Sequence, residues 1–348
     1  MPARHEETFS LESMPPERRP SRRLGDFELV EVIGRGASAE VWRARQQGLA
    51  REVAVKVMNG RLHHAQAAVR FAREADLASR LDHPYAAHVY AVGVEPDGTW
   101  WLAMEFVRGM TLARLVELRG PLEGPAFLAM MERLAEVVQA AHDIGLVHRD
   151  IKPANVVVRS LGGRLLPKLM DFGLARFAAD VEGPTAGPAP EEPTVTGQGA
   201  ILGSSVFMAP EQWEDAAHAG PAADQYALAV LGWNLLTGRL PYVAPTIAEL
   251  QRQHHSGEPP PLPGFLPPAL DAVFRRALAP RAEDRWPDVA AFARALRDAA
   301  RAGEDELPAL DPDRRERVLQ AFPAPIAEAF ARVADAATPA AATVAVRL

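Results

Sequence analysis

The part of the sequence with the clearest chemical potential is the octapeptide HRDIKPAN at residues 148–155. Asp150 can accept a proton from a hydroxyl group, and the side-chain oxygen of Asn155 suits a hard cation. Lys152 can place a positive charge against a phosphate, and Pro153 restricts the backbone between them. Each residue alone also fits a charged surface loop in which Asp150 caps a turn. Their combination in one short window favours a catalytic loop.

A second carboxylate that could share the cation follows further along the chain. Asp171 comes directly after the apolar residues of KLM and just before Gly173, so its side chain can project from the end of a short strand. Carboxylate and amide oxygens are typical Mg²⁺ ligands. We therefore predict a Mg²⁺ site formed by Asn155 and Asp171.

The elements that must position these groups begin with a predicted hairpin. Residues 27–46 alternate apolar and polar side chains on both sides of the turn GRGASA, residues 34–39. Small residues there let backbone N–H groups approach a polyphosphate. Taken alone, the pattern favours a structural turn, because glycine-rich hairpin turns are common, and Ala39 stands where a third glycine would be expected. The strand-like residues 41–45 argue against a dinucleotide-binding fold.

Lys56 lies in the next predicted strand, REVAVKVM, where a half-buried ammonium needs a partner. The following residues have helical spacing, and Glu74 on that helix could form a buried ion pair with Lys56. In the alternative, Glu74 pairs with Arg70 or Arg73 on a solvated helix face. The residues themselves do not distinguish the two pairings.

A change from strands to helices near residue 109 indicates a boundary between two lobes. Two further strands at residues 89–94 and 100–107 flank the turn EPDG, and the helix that follows begins with Thr111 as a predicted N-cap. The fold implied by this order of elements, rather than any local chemistry, would place an adenine in the crease between the lobes, bonded to the backbone between Glu105 and Val107.

The overall composition limits the function classes. The chain has 348 residues, 48% of them hydrophobic, which is enough for two lobes. A net charge of −7 gives no general electrostatic case for binding nucleic acid or an anionic membrane. The absence of cysteine excludes disulfides and thiolate metal sites. No apolar run approaches the roughly eighteen residues of a membrane span, and the start lacks a signal-peptide core, so we expect a cytoplasmic protein.

The ends of the chain and two histidine pairs have other expected roles. Residues 1–25, rich in Pro, Arg and Glu, are predicted to be a disordered arm, and residues 300–348 a helical and flexible tail. The adjacent histidines at residues 63–64 and 254–255 could indicate a metal site. However, neighbouring side chains on a helix face apart and no third ligand is evident, so we interpret all four as surface residues.

In order, the motifs GRGASAEV, VAVK, a helical Glu, HRDIKPAN, DFG and APE at residues 209–211 resemble the signature of the eukaryotic-type (Hanks-type) serine/threonine protein kinases, the bacterial branch in particular. The resemblance covers residues 27–298. It implies an α+β, bilobal kinase fold over residues 26–299. The N-lobe, about residues 26–107, would be a small antiparallel sheet with one main helix, and the C-lobe, about residues 108–299, would be larger and helical.

The resemblance also implies the chemistry. ATP and Mg²⁺, with Mn²⁺ as a substitute, would serve transfer of the γ-phosphoryl group to Ser/Thr hydroxyls of proteins, the chain itself included. Asp150, Lys152 and Lys56 would be catalytic, and Asn155 and Asp171 would hold the metal. The implied nucleotide-binding residues are Ile33, Gly34, Arg35, Gly36, Ala37, Ser38, Val41, Ala54, Lys56, Glu74, Met104, Glu105, Val107, Asn155 and Asp171.

Three supporting roles follow from the same resemblance. Asp224 would brace the backbone of the catalytic loop, and Arg285 would pair with Glu211. Residues 171–211 would form an activation segment, where a phosphate on Thr194 or Thr196 could pair with Arg149.

Some features leave alternatives open. Thr185 is a third acceptor in the activation segment, and all three threonines also fit simple exposure in a loop. The sequence GSSVFMAPE replaces the family's usual GTPxYMAPE; Ser204 keeps the hydroxyl, but Ser205 and Phe207 leave peptide preference open. A nucleotide-binding pseudokinase scaffold is the alternative function, although the intact catalytic groups argue against it. A small-molecule kinase is disfavoured by Lys152 and the APE motif.

Overall fold

A computed structural model describes residues 22–36, 39–61, 65–122, 124–172, 205–215 and 219–302. Several predicted features lie outside these ranges: Ala37 and Ser38 of the glycine-rich turn, the histidines at 63–64, Thr185, Thr194, Thr196 and Ser204, and most of both terminal segments.

The first part of the chain forms an antiparallel sheet and one helix, as predicted for the N-lobe. The strands are β1 (Arg23–Leu24), β2 (Phe27–Arg35), β3 (Ala39–Gln46), β4 (Arg51–Arg61), β5 (Val89–Val94) and β6 (Thr99–Glu105), and helix α1 (Ala65–Arg80) follows β4. Their order in the sheet is β1-β2-β3-β4-β6-β5. The pairing of β2 with β3 confirms the hairpin predicted from alternating apolar residues.

One face of this sheet carries a compact aromatic core. Phe27 packs edge-on against Trp101 with ring centroids 5.5 Å apart. Gly93, on the neighbouring strand, leaves room for the Trp101 ring, because a Cβ at this position would lie 2.2 Å from it. Leu24 is also buried and pairs with Phe27. Order therefore begins before Asp26, and the predicted boundary of the disordered arm at residue 25 is too late, because β1 completes this core.

The second part is mainly helical. It contains α2 (Leu112–Arg119), α3 (Gly124–Asp143), α4 (Pro210–Asp215), α5 (Pro221–Thr237), α6 (Ile247–Ser256), α7 (Pro268–Ala277) and α8 (Val289–Ala302), with a small sheet of β7 (Met110–Thr111), β8 (Val156–Leu161) and β9 (Arg164–Leu169). Thr111 caps α2 as predicted, since its side chain accepts a hydrogen bond from the Arg114 N–H at 3.2 Å. Helix α8 extends past residue 299, the predicted end of the domain.

Helix α5 is the central element of this lobe. Almost all of its side chains are buried, so it packs on every side rather than along one stripe. It ends at Gly238, whose left-handed φ of 71° and N–H bond to the Asn234 carbonyl form the predicted C-terminal stop. None of the helices within the described ranges is long and apolar enough to cross a membrane.

Candidate active site

Asp224 on α5 holds the loop at residues 148–155 through hydrogen bonds to its backbone. One carboxylate oxygen accepts the backbone N–H of His148 at 2.7 Å, and the other accepts that of Arg149 at 2.6 Å. His142 Nε2 lies 2.8 Å from the same carboxylate, which is fully buried. These contacts hold Arg149 in a left-handed conformation, with φ of 65°. Asp224 therefore braces the catalytic loop, as predicted.

Asp150 is oriented by its own loop. Lys152 Nζ donates to both of its carboxylate oxygens, at 2.9 and 2.7 Å. Asn155 Nδ2 donates to the backbone carbonyl of Asp150 at 2.8 Å and to Oδ2 at 2.9 Å. Because the amide nitrogen is used in this way, the side-chain oxygen of Asn155 faces away from Asp150. The carboxylate of Asp150, the ammonium of Lys152 and the amide of Asn155 thus lie together.

Asp171 lies next to this loop and contacts Lys56 from the N-lobe. His148 Nε2 is 2.7 Å from the carbonyl of Met170, and the Met170 N–H donates to the Asn155 carbonyl at 2.8 Å. Lys56 Nζ donates to Asp171 Oδ2 at 2.9 Å, and both side chains are mostly buried. The ion pair between Lys56 and Asp171 therefore joins the two lobes at this site.

The expected pair between Lys56 and Glu74 is not the one that forms. Glu74 Oε1 instead lies 3.6 Å from Arg149 Nη1, and Lys56 binds Asp171. The side chain of Glu74 is only 14% exposed, so it does not lie on a solvated helix face. The side chain of Arg70, one of the two alternative partners, lies outside the described part of the structure. In the structure, Glu74 thus pairs with Arg149, and Asp171 pairs with Lys56.

The residues fit a hard divalent cation. Asp171 Oδ1 is buried and has no hydrogen-bond partner among the described residues. An unsatisfied buried oxygen costs roughly 1–3 kcal/mol, which a bound cation would offset. The side-chain oxygen of Asn155, whose amide nitrogen is bonded to Asp150, is the second oxygen that could hold the cation. Within the described ranges, no cluster of three or more His, Cys, Asp or Glu side chains offers a protein-only metal cage. This small ligand set suits Mg²⁺, which is commonly held by few protein groups and the phosphates of a substrate.

The predicted nucleotide-binding residues of the N-lobe fall into two groups. Ile33, Gly34 and Arg35 end β2, and the Gly36 N–H closes the turn by donating to the Ala39 carbonyl at 2.9 Å. Ala39 is buried and pairs with β4, so it belongs to the strand and not to the tip of the turn.

The second group is an apolar surface. Ala54 and Met104 are register partners on adjacent strands and pack in one cluster with Val41. Met170 packs on the same cluster. Its position directly before Asp171 is the only feature of the sequence that could have indicated this contact. These side chains could contact a flat base.

Glu105 has a contact that the sequence did not reveal. Lys168 on β9 donates to Glu105 Oε2 at 2.7 Å and to the Ala86 carbonyl at 2.9 Å. Phe106 and Val107 follow as the half-buried link between the lobes. The side chain of Glu105 thus connects this link to β9, the strand that ends two residues before Asp171.

Glu211 and Arg285 form the predicted pair. Arg285 is 0% exposed at its side chain and makes bidentate bonds to Glu211 at 2.7 and 2.8 Å. This pair connects α4 to the loop before α8.

The interpretation of His254 as a surface residue is wrong. His254 is completely buried, and the Tyr226 hydroxyl lies 2.8 Å from its Nδ1. Burial lowers the pKa of His254 to about 4, and the neighbouring His255 acts in the same direction. His255, the next residue on the same helix, is exposed. The two histidines therefore do face apart, and His254 is the one that points inward.

An antiparallel N-lobe, a helical C-lobe and a site built from Lys56, Asp150, Asn155 and Asp171 define the bilobal fold of a protein kinase. The protein kinase domain family matches residues 27–260. The chain therefore belongs to this family, and its relatives place it among the Hanks-type bacterial serine/threonine protein kinases.

Among those relatives, the serine/threonine-protein kinase Pkn1 of Myxococcus xanthus is 36% identical over 283 residues, covering 80% of this chain and 38% of that protein. The serine/threonine-protein kinase PknF of Mycobacterium tuberculosis is 36% identical over 278 residues, covering 78% of this chain and 55% of that protein. The chain thus spans only about half, or less, of these relatives. A crystal structure of the M. tuberculosis PknI kinase domain matches with a TM-score of 0.58 and 28% identity, covering 80% of this chain and 98% of that one.

Proposed function

We propose that this chain is an active protein kinase that transfers the γ-phosphoryl group of ATP to Ser/Thr hydroxyls, with Mg²⁺ as cofactor. The observation that carries the proposal is the arrangement around Asp150. Lys152 and Asn155 hold its carboxylate, and Asp171 and Lys56 lie beside the same loop. A scaffold that only bound nucleotide would not need an oriented proton acceptor.

Each group has a defined part in the reaction. The acceptor hydroxyl gives its proton to Asp150 while its oxygen bonds to the γ-phosphorus, and the bond from that phosphorus to the β-phosphate oxygen breaks, leaving ADP. Lys152, already bonded to Asp150, supplies positive charge beside the transferred group. Lys56 supplies a second cation at the phosphates. Bound to Asn155 and Asp171, Mg²⁺ would neutralise phosphate charge.

The proposed substrates are proteins with Ser or Thr acceptors, and the chain itself is one of them. Trans-phosphorylation between two copies would require self-association. Thr194 and Thr196 are the proposed autophosphorylation sites, with Thr185 third. The net charge of −7 favours protein over nucleic-acid partners. Use of ATP in a chain without cysteine supports a cytoplasmic site of action.

The test is Mg²⁺-dependent transfer of labelled γ-phosphate from ATP to the chain and to myelin basic protein. Asp150→Asn should reduce transfer by at least about 100-fold, because the amide cannot accept the proton. Asp298→Asn, an equivalent change at an exposed position on α8, should leave transfer unchanged.

Transfer that persists in Asp150→Asn would refute the assigned proton acceptor. Binding of ATP without any transfer by the unmodified chain would instead favour the pseudokinase scaffold. Mapping the label to Thr194 or Thr196 would support the proposed autophosphorylation sites.

A further inference from the structure

Four aromatic side chains form a buried joint between α4 and α6, which we name the histidine joint: Trp213, Tyr226, Tyr242 and His254. His254 lies at its centre. Its ring centroid is 4.8 Å from that of Tyr242, 5.6 Å from that of Tyr226 and 6.4 Å from that of Trp213. Trp213 belongs to α4, Tyr226 to α5 and His254 to α6, so one imidazole joins three helices.

The joint is polar as well as aromatic. The Tyr226 hydroxyl and His254 Nδ1 are 2.8 Å apart and buried, and such hydrogen bonds set a fixed orientation that apolar packing alone does not. The backbone of Met208 also interacts with the His254 ring and partly opposes the effect of burial on its pKa. The ring of His254 also meets α4 through Trp213.

The other side of α4 is attached to the catalytic loop. Gln212 is buried, its Nε2 donates to the Arg149 carbonyl at 3.0 Å, and its Oε1 accepts the Ala209 N–H at 2.9 Å. Arg149 immediately precedes Asp150. The adjacent residues Gln212 and Trp213 thus connect α4 to the catalytic loop and to the histidine joint.

Residues 205–208 come directly before Ala209 and α4, whose residues Gln212 and Trp213 make the two contacts described above. The short 3-10 helix Ser205–Phe207 precedes α4 and packs on α5, and α4 is bonded through Gln212 to the residue before Asp150, so this segment is linked to the proposed proton acceptor. By contrast, the described contacts of Lys56 and of the apolar surface around Met104 involve the N-lobe, Met170 and Asp171, and none of the joint's residues.

We propose that His254 is a positioning residue for the protein substrate: through Tyr226 and Trp213 it holds the surface formed by residues 205–215 in register with Asp150. The inference rests on the proposed kinase function. Loss of the joint should weaken binding of the protein substrate, because a loosened surface must be ordered again when the substrate binds. Binding of ATP should be unaffected.

The experiment measures steady-state phosphorylation of myelin basic protein, varying that protein at saturating ATP and then ATP at saturating protein. His254→Phe keeps an aromatic ring but removes both nitrogens, and Tyr226→Phe removes only the hydroxyl that meets Nδ1. Each should raise the KM for the protein about threefold to tenfold, the range for loss of one buried hydrogen bond. The KM for ATP and kcat should stay within about twofold. Arg252→Met, at an exposed position on the same helix, is the control and should match the unmodified chain.

Three results would overturn the proposal. The first is an unchanged KM for myelin basic protein in Tyr226→Phe. The second is a fall in kcat together with a higher KM for ATP, which would indicate general damage to the fold. The third is an equal effect from Arg252→Met. Tyr226→Phe keeps the test decisive if His254→Phe does not fold. Failure of the unmodified chain to transfer phosphate would refute the kinase function, a separate outcome.

Discussion

Replacing Glu211 with Gln should destabilise the fold strongly, because its partner Arg285 has no access to water. All five N–H groups of Arg285 are used. Nε donates to the Ala279 carbonyl at 2.8 Å, Nη1 to Glu211 and the Ala222 carbonyl at 2.7 and 2.9 Å, and Nη2 to Glu211 and the Pro280 carbonyl at 2.8 and 2.9 Å. Glu211→Gln keeps the shape but removes the compensating charge and one acceptor.

The expected size follows from the burial of the two partners. Removing one partner of a buried ion pair costs about 3–5 kcal/mol. The Glu211 side chain is 30% exposed, and Gln keeps one acceptor oxygen, so the lower value, about 3 kcal/mol, applies. For a domain of this size, that corresponds to a fall in Tm of roughly 6–12 °C.

The assay is urea unfolding of the full chain followed by tryptophan fluorescence. Glu117→Gln breaks an exposed pair with Arg114 and should change stability by less than about 0.5 kcal/mol. The double variant Glu211→Gln with Arg285→Met should lose less than the sum of the two single changes, since no buried charge remains. A loss below about 1 kcal/mol in Glu211→Gln would refute the reasoning, as would strict additivity in the double variant.

Three further predictions concern buried groups. The pKa of His254 is about 4 in the folded chain and 6.5 ordinarily. As the pH falls, the unfolded chain therefore binds a proton at this histidine before the folded chain does. The contribution of His254 to stability is complete above pH 6.5 and falls towards pH 4. Through this group, the free energy of unfolding should fall by about 2 kcal/mol between pH 7.5 and pH 5, and His254→Phe should lack this part of the fall. Equal pH dependence in both proteins would contradict this. Gly93→Ala should cost about 1–3 kcal/mol in urea unfolding, because the new Cβ meets Trp101 at 2.2 Å, whereas an unchanged midpoint would show that the ring moves freely. Asp224→Asn should reduce phosphate transfer at least about tenfold, because an amide cannot accept at both ends; full activity would remove its bracing role.

Local patterns predicted the parts of the fold that depend on neighbouring residues. The β2–β3 hairpin, the cap at Thr111 and the stop at Gly238 each follow from side chains within a few positions. The burial of His254 does not, because it depends on Tyr226, which is 28 residues away in sequence. Lys168 was missed for the same reason: its partner Glu105 is 63 residues away.

The pairing of charges at the active site could not be predicted from the sequence, because the motifs identify the groups and not the distances between them. In the fold, Glu74 lies next to Arg149, and Lys56 is bonded to Asp171, so a Glu74 carboxylate that turned towards Lys56 would move away from Arg149. The side chain of Arg149 is only 15% exposed, so without Glu74 it would need another anion to offset the loss of hydration. A phosphate of the kind proposed for Thr194 or Thr196 is such an anion. The contact predicted between Lys56 and Glu74 and the one predicted between Arg149 and a phosphate are therefore linked: each becomes more favourable when the other forms.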